Sequence, residues 1–387
     1  MQVHSSTEDT HLCGHAHRRE RPLASAWQAR GHRLVRARDV VADLQGASGA
    51  YVHFLFDRPW HARFIYAANV LPVQIPPPTR HPLLYWIWFQ WRIPAVLRKY
   101  KADLFLSPDG FLSTRTKVPQ LAVVHDLNFE HYPDDLPWAY RRYYRTWFPR
   151  FARVAERIVT VSEFSKQDLL ATYGVPADRV DVVYNGVGAV FRPSSPDEIQ
   201  AARREFAGDD PYLVCVGSLH PRKNIARLLS AFDLVVQARP DIRLVVVGEA
   251  FWWDKGMKKA WDGLVHKDRV AFTGRLDQPR LRSALGGAEA LAFLSYFEGF
   301  GIPVAEAMRC GVPVVAARAT SLPEVAGDAA IYCDPFDIKD IASALEVVLS
   351  DHDLRSRMTE AGLERSAKFT WARTADGLWA SIEKLLQ

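Results

Sequence analysis

The chain has 387 residues, of which 48% are hydrophobic and 24% charged, a composition typical of a two-domain globular protein with an ample core. The net charge of +5 is mild and suits phosphate-bearing ligands; because no zinc-finger or basic-helix pattern is present, no nucleic-acid partner is predicted. Four widely spaced cysteines without a CxxC pair favour a reducing cytoplasm, and the most apolar run, residues 82–91, is only about half a membrane span.

The first fifty residues form an atypical N-terminal segment, 1–50. Residues 16–50 contain seven Arg and eight Ala, with no clear strand alternation and no Gly-rich turn. Disorder, a shifted reading frame and genuine divergence all stay open as explanations. Four residues of this segment could suggest a metal cluster: His11, Cys13, His15 and His17. A disordered tail is the favoured interpretation, because no fixed scaffold would hold these side chains, and no metal site is predicted.

An orderly α/β pattern begins at Tyr51 and predicts a first domain over residues 51–187. Its predicted strands are 52–56, 104–107, 121–125, 158–162 and 180–184, and its predicted helices are 83–101, 138–155 and 164–173. His125 and Asp126 end one of these strands. A histidine there can hydrogen-bond a sugar hydroxyl and titrates near neutral pH, although a structural histidine that caps a turn stays open.

Two stretches of this domain combine aromatic and basic residues, within 82–101 and 140–150. Packing against the sheet of their own domain is the favoured interpretation, because amphipathic core helices are common. A peripheral contact with an anionic membrane, at its inner face, is the alternative.

A linker rich in Pro, Ser and Asp is predicted at 188–210, followed by a second domain at 211–370. Apolar runs predict a doubly wound parallel sheet, whose ligands bind beyond the carboxyl ends of the strands. A last helix, 371–387, has no strand after it. The predicted strands are 212–217, 243–248, 270–274, 290–295, 313–317 and 330–333, and the clearest helices are 224–238 and 279–285.

The most specific motif runs from Ser295 to Val315. Glu298 is predicted in a strand-to-helix loop, and Glu306 in the first turns of the helix. Pro303 suits the first turn of a helix, whose N-terminal N–H groups can bind an anion. The N–H donors of this predicted anion site belong to Phe300, Gly301 and Ile302, and neither Gly299 nor Gly301 has a side chain that would block close approach. A charged diphosphate flanked by hydroxyl-rich groups, as in a nucleotide-sugar, would suit this loop.

A basic motif follows the first strand of the same domain, from Gly217 through Ser218 to Arg222 and Lys223. Arginine can hold phosphate with two parallel hydrogen bonds, whereas lysine acts as a point charge. Because the motif opens a helix at a strand end, we expect both basic residues beside the Glu298 loop. Surface charges without a partner are the alternative interpretation.

The acidic string resembles the E-x7-E signature of glycosyltransferase family 4, whose members are retaining enzymes of the GT-B fold. The resemblance covers about residues 51–387 and is strongest from 217 to 334. It implies an α/β fold of two Rossmann-like domains facing across a cleft, with the C-terminal helix returning to the first. It departs from the family at Ser218, where members often carry Arg, and at the N-terminus, where a strand and Gly-rich loop are usual.

The resemblance also implies roles for individual residues. Arg222 and Lys223 would hold the donor diphosphate, and Glu306 the ribose hydroxyls. Glu298 would lie near the donor sugar, and His125 would contact the hexose near the reaction centre. The nucleobase would lie at Arg275 and Leu276, held partly by backbone.

We therefore predict a metal-independent retaining glycosyltransferase without a cofactor. Its donor would be a GDP- or UDP-linked hexose, with mannose from GDP-mannose as the specific candidate. Its acceptor would be a glycan or lipid-linked saccharide of the bacterial envelope. Two alternatives stay open: a catalytically impaired homologue that acts as a binding or assembly protein, and a GT-B-like nucleotide-sugar epimerase.

Overall fold

The computed structural model describes residues 8–16, 21–29, 51–65, 67–249 and 255–386. The chain divides into two compact units. The first unit comprises Met1–Gly186 with Trp371–Gln387, and the second comprises Val187–Thr370. The remainder of the N-terminal segment 1–50, including His17, lies outside the described residues.

The first unit contains an eight-stranded sheet in the order β4-β3-β1-β2-β5-β6-β7-β8. Strand β1 is antiparallel to the strands that it pairs with, whereas the other described pairs are parallel. Three of these strands, β1, β2 and β4, were not predicted from the sequence. The strands are β1 Glu8–Ala16, β2 Arg21–Ala29, β3 Tyr51–Phe56, β4 Val70–Gln74, β5 Leu104–Ser107, β6 Gln120–Val124, β7 Arg157–Thr160 and β8 Val180–Val182.

Helices of the first unit follow the predicted positions, with one break and one short helix, Asn128–His131, that was not predicted. The predicted helix 83–101 is divided by a π-helical turn, Trp88–Arg92, just before Pro94. Proline lacks the N–H that an α-helix interior requires, and a wider turn accommodates that loss. The α-helices are α1 Pro82–Ile87, α2 Ile93–Lys99, α3 Asn128–His131, α4 Trp138–Val154 and α5 Glu163–Tyr173.

The C-terminal helix, Trp371–Leu386, belongs to the first unit, as the family resemblance implies. Lys384 Nζ and Ser381 Oγ each donate to the Asp181 carboxylate in β8 at 2.8 Å. The helix also buries Leu378 in the core cluster that contains Phe54 of β3. No helix in the described part of the chain is long and apolar enough to cross a membrane.

The second unit contains a fully parallel sheet in the order β11-β10-β9-β12-β13-β14. All six strands were predicted within two residues of the observed ends. Their bounds are β9 Tyr212–Val216, β10 Arg243–Val247, β11 Val270–Gly274, β12 Ala290–Phe293, β13 Val314–Ala317 and β14 Ala330–Cys333. The helices are α6 Pro196–Ala207, α7 Ile225–Ala238, α8 Lys255–Gly263, α9 Gln278–Gly286, α10 Ile302–Arg309, α11 Leu322–Ala326, α12 Ile338–Ser350 and α13 His352–Ser366.

The strand order reverses between β9 and β12. From β9 the chain proceeds outward to β10 and β11, then returns to β12 beside β9 and proceeds outward on the other side. In an open α/β sheet this reversal leaves a crevice at the carboxyl ends of the two central strands, where ligands bind. The two motifs singled out in the sequence directly follow these strands.

Gly248, after β10, is held against the backbone that follows β9. A Cβ atom at this position would lie 1.8 Å from the Gly217 carbonyl oxygen. We therefore expect Gly248→Ala to lower the free energy of unfolding by about 1–3 kcal/mol or more, because the clash involves backbone atoms that cannot rotate away. Urea denaturation of the full chain measures this change. Gly263→Ala is the matched control, because nothing lies within 4 Å of its added Cβ; an equal loss in both variants would contradict the expectation.

Candidate functional site

The candidate site lies in the second unit, where the loops after β9 and β12 meet at the sheet's switch point. Gly217 allows the first loop to turn closely over Lys223, whose side-chain carbons lie 3.1 Å from where a Cβ would stand. A single 3-10 turn, Pro221–Lys223, carries both basic residues, and Asn224 then adopts a left-handed conformation before α7. The predicted start of the helix at 224 is therefore preceded by a tight turn.

Four residues form what we call the Glu298 cluster: Arg222, Lys223, Ser295 and Glu298. Lys223 Nζ donates to Glu298 Oε1 at 2.5 Å, and Arg222 Nη1 lies 2.8 Å from Oε2. Ser295 Oγ lies 2.6 Å from Oε1. Arg222 Nη1 also donates to the Phe297 carbonyl at 2.6 Å, so the guanidinium is tied to the loop that carries the carboxylate.

The cluster is largely shielded from water. The side chains of Glu298, Lys223 and Arg222 are 9%, 13% and 18% exposed. Burial would raise the pKa of the Glu298 carboxyl, but Arg222 and Lys223 outweigh burial and lower it to about 2. Burial lowers the pKa of Lys223, against the opposing effect of Glu298. We conclude that Glu298 is ionised at neutral pH and shared between two cations.

The loop after β13 fixes the backbone of Glu298. The Glu298 N–H donates to Thr320 Oγ1 at 3.0 Å, and Ser321 Oγ donates to the Glu298 carbonyl at 2.9 Å. Thr320 has a φ of 52°, which is unusual for a β-branched residue and costs conformational energy. Backbone strain is therefore present at the residue that orders the Glu298 loop.

The helix α10 begins beside this loop, as predicted. Gly301 is its N-cap with a φ of 90°, and Pro303 lies in the first turn. A Cβ at Gly301 would stand 2.6 Å from Leu322 Cδ2, so both conformation and space require glycine. Since Gly301 offers no capping side chain, the start of the helix keeps its favourable potential for an anion.

The other predicted donor-site residues occupy different positions. Gly299 and Phe300 are buried in the loop, and Ile302 begins α10. Glu306 is buried within α10, 3% exposed. The exposed Ser218 follows Gly217 in the basic loop, where the family often has Arg.

Arg275 and Leu276 follow β11, which β10 separates from β9. Arg275 is exposed and Leu276 buried. The structure therefore brings Arg222, Lys223 and Glu298 into direct contact. Arg275 and Leu276 lie at the end of another strand of the same sheet.

His125 belongs to the first unit, immediately after β6. Its Nε2 lies 2.9 Å from the Pro108 carbonyl oxygen. Because a carbonyl can only accept, Nε2 carries a proton in this contact. Ser165 Oγ donates to the His125 backbone carbonyl at 3.2 Å. The ring is therefore anchored through Nε2.

Sequence reasoning missed the hydroxyl groups around Glu298, namely those of Ser295, Thr320 and Ser321. A usable signal was present: Ser295 directly follows a buried apolar run, and Thr320-Ser321 follow the next strand along the chain. Polar side chains after neighbouring parallel strands meet at one edge of the sheet.

Two family models and several characterised relatives are similar to this chain. The family model described as "Glycosyl transferases group 1" matches residues 196–365, and that described as "Glycosyltransferase Family 4" matches residues 21–189. The second match begins inside the segment 1–50. The O-antigen chain mannosyltransferase B of Escherichia coli is 30% identical over 297 residues, which are 76% of this chain and 78% of that protein. The serotype-specific mannosyltransferase WbdA of Escherichia coli is 30% identical over 276 residues, which are 69% of this chain but only 34% of that longer protein.

Solved structures are similar in fold. Anabaena HepE, crystallised with UDP-glucose, superposes with a TM-score of 0.71 at 18% identity, covering 92% of this chain and 97% of that one. This likeness confirms the predicted α/β fold of the GT-B class with two Rossmann-like units.

Proposed function

This chain belongs to the group 1 glycosyltransferases of family 4, and from that premise we propose that it transfers a hexose with retention of configuration and without a metal. The donor would be a GDP- or UDP-linked sugar, and mannose is favoured because the Escherichia coli relatives carry that activity in their names. The acceptor would be a glycan or lipid-linked saccharide of an envelope polysaccharide. The observation that carries the proposal is the pair of cations, Arg222 and Lys223, held with Glu298 at the switch point.

The chemistry follows the movement of charge. The bond between the sugar C1 and the diphosphate oxygen breaks, its electron pair leaves with the diphosphate, and positive charge grows on the sugar ring. Arg222, Lys223 and the N-terminus of α10 would stabilise the departing negative charge. An acceptor hydroxyl then bonds to C1, and its proton passes to the diphosphate oxygen. Retention requires attack on the face from which the diphosphate departs.

Other residues would bind and orient the donor. Glu298 would lie near the donor sugar and Glu306 would bind the ribose hydroxyls. Arg275 and Leu276 would hold the nucleobase. His125, whose Nε2 contacts the Pro108 carbonyl, would contact the hexose.

A transfer assay on the full chain tests the proposal. GDP-mannose, UDP-glucose and UDP-galactose are each incubated with lipid-linked saccharide acceptors, with and without EDTA. We expect one donor to release its nucleoside diphosphate together with a product of unchanged anomeric configuration by NMR, insensitive to EDTA. An inverted product, a requirement for metal, or an epimerised free sugar would overturn the corresponding part of the proposal. Donor binding without release would favour an impaired homologue.

We also infer a peripheral contact between the first unit and an anionic membrane. Residues 58–102 contain seven Lys or Arg and no Asp or Glu, and residues 136–155 contain five basic residues and no acid. Exposed aromatics accompany this charge: Trp91 is 51% and Trp138 is 67% exposed. Arg115 lies 3.6 Å from the centre of the Trp91 ring. Aromatic rings beside cations suit the headgroup layer of an anionic bilayer.

Vesicle sedimentation tests this contact. We expect the protein to bind vesicles that contain phosphatidylglycerol and not vesicles of phosphatidylcholine alone, with binding weakened by salt. The double variant Trp91→Ser/Trp138→Ser should bind about tenfold less, since two interfacial anchors are lost. Val265→Ser is the control, because Val265 is 75% exposed in the second unit. Equal binding to both kinds of vesicle would contradict a charge-dependent contact.

A further inference from the structure

The two cations assigned to the donor diphosphate already share a carboxylate. Arg222 and Lys223 contact opposite oxygens of Glu298, at 2.8 Å and 2.5 Å. Two positive charges and one negative charge leave a net single positive charge at a site proposed to receive a multiply charged anion. The affinity of that site therefore depends on Glu298 as well as on the cations.

Neither cation can easily turn away from this carboxylate. Lys223 Nζ lies 4.8 Å from the centre of the Phe293 ring, and its side chain packs over Gly217. The Arg222 guanidinium is bonded to the Phe297 carbonyl. A diphosphate that reaches these cations would share them with Glu298, and its oxygens would come within a few ångströms of a like charge.

The two forms of the nucleotide differ in charge. A diphosphate esterified to a sugar lacks the terminal phosphate ionisation that a free nucleoside diphosphate gains with a pKa near 6. The free product therefore carries about one more negative charge at neutral pH than the donor does. A fixed negative charge beside the phosphates repels the product more strongly than the donor.

We propose that Glu298 is a fixed counter-charge that discriminates between donor and product, weakening the hold on the nucleoside diphosphate so that it is released after transfer. Ser295, 2.6 Å from Oε1, is the positioning residue for that charge. This role rests on the proposed function, because it requires a diphosphate at Arg222 and Lys223. This role is separate from the proposed contact between Glu298 and the donor sugar, because it concerns the affinity for the nucleoside diphosphate, which no longer carries the sugar.

Binding measurements on the full chain test the proposal. Affinities for GDP and UDP, for GDP-mannose and UDP-glucose, and for guanosine and uridine are compared between the wild type and Glu298→Gln, which removes the charge and keeps the shape. We expect Glu298→Gln to bind the matching nucleoside diphosphate about tenfold more tightly or more. Affinity for the sugar-linked form should rise less, and affinity for the nucleoside should not change. Glu346→Gln removes an equal charge from an exposed position of α12 and should alter none of them.

The failures are distinguishable. If the wild type binds a nucleoside diphosphate and Glu298→Gln binds it equally or less tightly, the counter-charge is refuted while the proposed function stands. If the wild type binds none of the nucleotides, both fail. Should Glu298→Gln be unstable, Glu298→Asp keeps the charge on a shorter side chain, and its unfolding temperature with and without the nucleotide gives the same comparison. Because the charge is retained, the ratio of donor to product affinity should stay close to that of the wild type. A clear shift toward the product in that variant would count against the proposal.

Discussion

Replacement of Glu298 by alanine is expected to abolish detectable sugar transfer and to lower the free energy of unfolding by about 3–5 kcal/mol. The stability loss arises because two largely buried cations, Arg222 and Lys223, would lose their shared carboxylate. The activity loss arises because the proposed contact with the donor sugar disappears. Transfer should vanish although nucleoside diphosphate still binds, and this combination separates loss of chemistry from loss of the site.

Urea denaturation and a donor-turnover assay measure these two effects. The folded-state pKa of Glu298 is about 2, below its ordinary 4.5. Its stabilising contribution is therefore present above pH 4.5 and is lost as the pH falls toward 2. The free energy of unfolding of Glu298→Ala should therefore fall less between pH 4.5 and pH 2 than that of the wild type. Near-normal turnover in the variant would refute the assigned role, and Glu346→Gln again provides the exposed control.

Lys223→Ala should reduce the transfer rate about 10²–10³-fold, as expected when one contact to a developing negative charge is removed. Lys223 lies beside Gly217 with Nζ fixed on Glu298. Its loss should weaken binding of GDP or UDP while leaving binding of the corresponding nucleoside unchanged, because only the phosphates would touch it.

Isothermal titration with nucleoside and nucleoside diphosphate in parallel measures this difference. Lys339→Ala is the matched control, because Lys339 is exposed on α12 of the same unit. Equal loss of affinity for both ligands would mean that Lys223 supports the fold of the pocket and does not contact phosphate. Loss confined to the diphosphate would support the proposed placement.

The sequence predicted the second unit well because its strands are buried on both faces. The run Ala290–Phe293 is continuously apolar and completely buried, so it carries a clear signal. Strand β4 was missed because it is short and contains Pro72. Proline argues against a central strand, but β4 is at the edge of its sheet, where a missing N–H is tolerated.

The sequence predicted the residues of the candidate site but not the contacts between them. Arg222, Lys223 and Glu298 stand out by type and spacing, and the structure brings them together. That both cations pair with one carboxylate depends on the 3-10 turn at Pro221–Lys223 and on side-chain distances, which a sequence does not contain. The hydrogen bond from Glu298 to Thr320 joins residues 22 positions apart, so only the pairing of neighbouring strands reveals it.

The strained backbone at Thr320 sets two selective pressures against each other. Asparagine or glycine would tolerate its left-handed conformation better and make a more stable protein. Neither would keep the hydroxyl that accepts the Glu298 N–H. A threonine would thus persist only under selection for an ordered loop, and lineages released from that selection should drift toward asparagine or glycine. The residue at this position should therefore differ between family members that need an ordered Glu298 loop and members that do not.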